Sequence, residues 1–306
     1  MKLSAEARKR AITFINREGR PLERAICEHL FAGGARDRVL QELVKFQNPD
    51  GGFGNGLEPD LRSAESSVLC TSVALEILAD LNIGCDEPML KGAISFLMNT
   101  YDEERHVWRI IPQTAESSPH APWWNRTGLE KTFGNFLTNP RARICGYLFH
   151  YRQLTPEKFR TELLARVLEH MEGEEDKIPG DSLLCYISLS QCDNLPTDSS
   201  ARLNQKIMQM IPASVETDST KWEDYCLKPI WTITSPHSPY HHLIAEAIDR
   251  NLDYEIQHQE KDGSWKPFWN WAGAYPEDWL IAEREWRGKI TLDMLRVIAA
   301  FGRIEK

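Results

Sequence analysis

The chain has 306 residues, 42% of them hydrophobic and 26% charged, an ordinary globular balance that works against wholesale disorder and leaves apolar material for a core along the whole length. A formal net charge of -9, with no Lys/Arg-rich run set against it, works against binding phosphate backbones, so no nucleic-acid partner is expected. No window approaches the roughly 18 apolar residues of a membrane span. The start, MKLSAEARKRAITF, lacks the continuous apolar stretch and cleavage site of a secretory signal. The seven cysteines are odd in number and form no C-x-x-C pair, which fits reduced thiols. One soluble, cytoplasmic domain over 1–306 is the expectation.

In chain order, Ala7 to Ile15 reads as an amphipathic helix and Pro21 to Phe31 as a more apolar one. Ala35 to Phe53 follows as helix, Gln, tight turn and aromatic. Ser66 to Leu81 is apolar around most of its circumference, and Lys91 to Leu97 is amphipathic, with Trp108 beyond it. The alternation continues through Pro140 to Tyr151, Leu163 to Met171, Ser182 to Ser190, Leu203 to Ile211 and Trp222 to Thr234. Ala247 to Trp265 and Ile290 to Phe301 close the series. Amphipathic segments belong outside and apolar ones inside. Pro21 and Pro140 suit the first turns of inner helices, and Asp181 after Gly180 suits the cap of another. No period-2 strand of convincing length competes.

Ala35 to Phe53 (ARDRVLQELVKFQNPDGGF) and Ala247 to Trp265 (AIDRNLDYEIQHQEKDGSW) align without a gap. Ala35/Ala247, Asp37/Asp249, Arg38/Arg250, Leu40/Leu252, Val44/Ile256, Gln47/Gln259, Asp50/Asp262, Gly51/Gly263 and Phe53/Trp265 pair at one constant offset. Chemically, the Gln suits orphaned backbone groups at a helix end and the aromatic suits folding back over the turn. Gln259-x-x-x-Gly263-x-Trp265 resembles the QW motif of squalene and related triterpene cyclases, and Gln47-x-x-x-Gly51-x-Phe53 is a near match. The resemblance to the squalene cyclase and protein prenyltransferase superfamily implies an all-α fold, an (α/α)6 toroid of about six helix hairpins.

In such a barrel every outer-to-inner connection emerges on one rim, so function is expected there. The long loops place most of the tryptophans on that rim, as a lined pocket would require. Asn55 to Glu65 (NGLEPDLRSAE) brings Glu58, Asp60 and Glu65 beside Arg62; these carboxylates are the candidate acid/base groups, and Arg62 a substrate contact. His120 to Asn125 (HAPWWN) adds His120 as a candidate acid or base, with Trp123, Trp124 and Asn125 as substrate contacts. Trp265 to Arg287 contributes Trp269, Trp271, Tyr275, Asp278 and Trp279. Each set also has a purely structural reading: Asp60 capping a helix, a Trp loop plugging the barrel mouth, Trp265 serving only its turn.

The Asp-x-Asp-Asp motif of protonating cyclases and the Asp-Asp-x-x-Asp motif of ionising terpene synthases are both missing from the chain. Asp224-Tyr225-Cys226 matches half of the zinc set of the prenyltransferases, but Trp286 to Ile290 holds no histidine; with Asp224 and Cys226 lacking a third ligand, no metal or other cofactor is expected. The expected partner is a small molecule. The readings are an enzyme applying carboxylate chemistry to an isoprenoid-like substrate, a carbohydrate-active hydrolase or lyase, and a non-catalytic binding protein.

Overall fold

The computed structural model describes residues 1–305. They form an all-α protein with helices α1 (Ala5–Glu18), α2 (Pro21–Ala32), α3 (Arg36–Leu43), α4 (Val68–Asp80), α5 (Pro88–Thr100), α6 (Leu129–Thr132), α7 (Arg141–His150), α8 (Glu157–Gly173), α9 (Gly180–Ser190), α10 (Thr197–Ser214), α11 (Pro229–Thr232), α12 (Ala245–Gln257) and α13 (Pro276–Ala300). A short hairpin pairs β1 (Tyr101–Asp102) with β2 (Val107–Trp108), where the sequence pattern shows no strand. Among the described residues no helix is long and apolar enough to cross a membrane. The helices gather into two compact units, residues 1–43 with 215–305 and residues 44–214.

In the first unit α13 packs against α1 and α2, α2 against α3, and α11 against α12. Ser4 caps α1 by accepting from the Ala7 amide at 3.1 Å, and the helix then buries Ala7, Ala11, Phe14 and Ile15 at helical spacing. Each large apolar side chain so buried contributes roughly 1.5–3 kcal/mol. The two ends of the chain meet: Leu3 bridges Ile304 in parallel, and the Met1 ammonium lies 2.7 Å from Asp253.

In the second unit the helices form two rows. The apolar helices α4, α7 and α9 pack in series, while α5, α8 and α10 lie against α4, α7 and α9 respectively. Almost the whole of α7 is buried, from Arg141 through Phe149 with only Arg143 half-exposed. Trp108 in β2 is fully buried and donates its indole N–H to the Leu97 carbonyl of α5 at 2.7 Å.

Four expected placements are corrected. The segment 222–234 is helical only as α11, after a 3-10 turn at Ser219–Lys221. The chain before it turns and bends without helix, with the Glu216 amide donating to the Leu227 carbonyl at 2.9 Å, and Pro229 holds Lys228 in extended backbone. The last helix begins at Pro276 rather than near Ile290, because Pro276 sits at its N1 position with Glu277 and Asp278 in the first turn. Gly288 lies inside that helix, where a Cβ would stand 3.0 Å from the Cα of Gly19. At the inner helix starts, Pro21 occupies N1 as expected, but Pro140 is the residue before α7, and Asp181 is in the first turn of α9 with Pro179 at the cap position.

Candidate functional site

The two stretches that share their sequence also share their hydrogen bonds. Gln47 donates through Nε2 to the carbonyls of Gly51 and Met89, each at 2.9 Å. Gln259 donates to Gly263 at 2.9 Å and to Ala7 at 3.1 Å. The expected role is thereby refined: each Gln serves its own turn and the first turn of another helix, α5 or α1, rather than the end of the helix before it. The Asp50 carboxylate accepts from the Gly52 amide at 3.0 Å, and Asp262 from the Ser264 amide at 3.1 Å. The amides of Phe53 and Trp265 each donate to a threonine hydroxyl, Thr71 and Thr291, at 3.0 Å. Gly51 and Gly263 hold φ at +87° and +94°, and a Cβ would come within 2.4 Å of the Gly92 and Arg10 backbones, so only glycine fits. The Phe53 and Trp265 rings are buried, and Trp265 also donates its indole N–H to the Glu255 carbonyl at 2.8 Å.

Within the second unit the acidic loop and the His120 loop are brought together. Leu61 bridges His120 in antiparallel fashion, the Arg62 amide donates to the Pro119 carbonyl at 3.0 Å, and the Ala121 amide to the Asp60 carbonyl at 2.9 Å. Asp60 is 3% exposed, whereas Glu58 and Arg62 are half-buried and Glu65 is exposed, taking a hydrogen bond from the Thr114 hydroxyl. His120 is buried with Nδ1 2.6 Å from the Ser118 carbonyl and Nε2 2.9 Å from the Asn125 side-chain oxygen. Nδ1 therefore donates, and a neutral ring accepts at Nε2 from the Asn125 amide turned over, whereas a protonated ring donates there. Trp124 is buried and stacks on Phe133 at 4.9 Å between ring centroids, while Trp123 is half-buried and Asn125 exposed.

In the first unit the loop before α13 and that helix's first turns carry the remaining candidates. Trp271 is 1% exposed and lies 5.7 Å from the Trp279 ring. Both line an open hollow of about 350 Å³ with Asn270, Gly273, Ala274, Pro276 and Leu280, a wall without a carboxylate. Tyr275 is exposed, in left-handed backbone at the start of α13, and Asp278 is half-buried in the helix's first turn. Trp269 turns to other rings, Trp231 at 6.1 Å and Trp286 at 5.0 Å. Asp224 and Cys226 precede α11 in irregular chain, and the Cys226 thiol contacts the Lys221 carbonyl at 3.5 Å. Among the described residues no three His, Cys, Asp or Glu side chains converge as metal ligands.

A further constellation escaped the sequence reading. Glu76 of α4, Arg143 and Tyr147 of α7, and Asp181 and Cys185 of α9 influence one another electrostatically. Burial is the largest influence on Arg143 and favours proton loss, but Cys185, Glu76, Tyr147 and Asp181 outweigh it and hold the guanidinium more firmly charged than usual. Burial pushes the Asp181 carboxyl above the ordinary carboxylate range against the pull of Arg143. It likewise raises the Cys185 thiol to about 11 and the Tyr147 hydroxyl above its normal value. Yet 24% of the Arg143 side chain and 55% of the Glu76 side chain stay accessible, so the pair is not sealed in the core. The signal was present as charge inside two apolar helices, Glu76 in VLCTSVALEILAD and Arg143 in RARICGYLFH.

No family model, curated protein or solved structure matches the chain. By its fold the protein is an all-α protein, with one group of polar residues at the loop corner around Asp60 and another around Arg143.

Proposed function

We propose that the chain is an (α/α)6 toroid of the squalene cyclase and prenyltransferase type, and an enzyme that applies carboxylate acid/base chemistry to an isoprenoid-like small molecule. The toroid reading is supported by the two helical rows of the second unit and by the packing of α13 on α1 and α2 in the first. The shared bonding of Gln47 and Gln259 supports it as well.

The observation that carries the chemistry is Asp60: a carboxyl-bearing residue 3% exposed, in a loop pinned to the His120 segment through Leu61. A carboxyl held in place by its loop can act as a positioned acid or base. In this reading Asp60 handles the proton, Glu58 sets its charge environment and Arg62 and His120 fix the loop. What favours an isoprenoid over a saccharide is the likeness of the two Gln turns to the QW motif of the triterpene cyclases.

The test presents geranylgeraniol, squalene and cellobiose to the full chain, reading tryptophan fluorescence for binding and gas chromatography for conversion. Binding and conversion of an isoprenoid, with conversion lost in Asp60→Asn and kept in Asp224→Asn, is the expected outcome. Binding of cellobiose alone, or full conversion by Asp60→Asn, overturns it.

A further inference from the structure

From Gly288 onward α13 buries most of its residues, but nearer its start one face stays in solvent. Glu277, Leu280, Ile281 and Arg284 are all exposed, and their helical spacing places them within about 100° of arc. Ala282, on the opposite side, is buried, so the face points away from the core. Leu280 is 63% exposed and Ile281 49%. Other large apolar side chains at the surface, such as Leu30, Val44 and Met208, stand singly, as is ordinary for a folded protein. A leucine and an isoleucine side by side in solvent are not ordinary.

We infer that this face is the seam of a homodimer, in which α13 of one protomer lies antiparallel to α13 of its partner about a twofold axis between Leu280 and Ile281. In chain order the four side chains read acidic, apolar, apolar, basic, a pattern that is its own complement when reversed. Against a second copy running the other way, Leu280 meets the partner's Ile281, and Glu277 meets the partner's Arg284 at each end of the seam. A twofold interface requires one patch that fits itself in this way. Within its own chain Arg284 approaches Glu18 at 4.0 Å, the outer limit of an ion pair, and 68% of its side chain is exposed, so the guanidinium is open to a partner. The hollow lined by Trp271, Pro276, Trp279 and Leu280 borders the seam and gives apolar side chains of the second copy a recess to enter. A lipid surface is a poorer match, because Glu277 and Asp278 at the start of the helix repel anionic headgroups. The face belongs to the first unit and Asp60 to the second, so the inference stands apart from the proposed chemistry.

Analytical ultracentrifugation of the full chain across the micromolar range tests it. The parent protein sediments as a dimer. A substitution on a twofold seam acts twice, so Ile281→Glu, losing about tenfold at each of two equivalent contacts, weakens association about a hundredfold while circular dichroism stays that of the parent. Glu277→Arg and Arg284→Glu each set like charges across the seam and favour the monomer. Mixing those two variants restores a dimer, because each chain then offers the charge the other lacks. Asp60→Asn dimerises as the parent does, which separates this inference from the proposed function. A parent chain that stays monomeric, with or without uptake by phosphatidylcholine vesicles, overturns the inference. So does a dimer indifferent to Ile281→Glu, or a mixture of the two charge variants that stays monomeric.

Discussion

Replacing Gln259 with glutamate tests whether the Gln turns are held by donated hydrogen bonds or by shape. Gln259 Nε2 donates at 2.9 Å to Gly263 and at 3.1 Å to Ala7. A typical intramolecular hydrogen bond contributes about 1 kcal/mol net, so Gln259→Ala should cost about 2 kcal/mol. With a urea slope of about 2 kcal/mol per M, that lowers the unfolding midpoint by about 1 M. Gln259→Glu is nearly isosteric but sets a carboxylate oxygen against two carbonyls, so it should cost more than alanine, about 3 kcal/mol or above. Below the carboxyl pKa the glutamic acid regains one donor, and the gap between the variants should close. Gln47→Ala and Gln47→Glu should follow the same order, since Gln47 makes the same pair of bonds. Urea unfolding followed by tryptophan fluorescence at pH 7 and pH 4 reads the series. A Gln259→Glu variant as stable as the parent would show that the amide fills space only, and the reasoning would fail.

Trp265→Phe, which copies the aromatic already present at Phe53, should cost only about 1 kcal/mol for the lost indole bond to Glu255, whereas Trp265→Ala should cost about 3–5 kcal/mol by opening a cavity; a phenylalanine variant as damaged as the alanine one would contradict the equivalence of the two turns. Gly263→Ala should destabilise by about 3 kcal/mol, measured by the same denaturation, because a Cβ at φ +94° meets the Arg10 backbone at 2.4 Å. For Asp181 the folded protein holds the carboxyl proton more tightly than the unfolded chain, so its contribution is complete below the ordinary value of 3.8 and is lost as pH rises through the raised folded value. Asp181→Asn should therefore gain stability relative to the parent between pH 4 and pH 7. Thermal melts across that range check it, and a parallel offset would remove burial as the cause.

Helical periodicity is a local property, and it was enough to read an all-α protein and nearly all of its helices from the chain. The Gln, Gly and aromatic positions of the two turns were legible for the same reason: a residue such as Gly51 or Gly263 is dictated by backbone that no other side chain tolerates. Where local preference was weak the sequence misled, as at 222–234, where Pro229 and the pairing of Glu216 with Leu227 displace a helix, and at the last helix, which starts at Pro276 and not near Ile290. That the Asp60 and His120 loops lie side by side depended on a bridge between Leu61 and His120, a pairing no periodicity encodes. Only tertiary structure could bring Glu76, Arg143 and Asp181 together from three helices, because electrostatic influence and burial depend on distance in space and not along the chain.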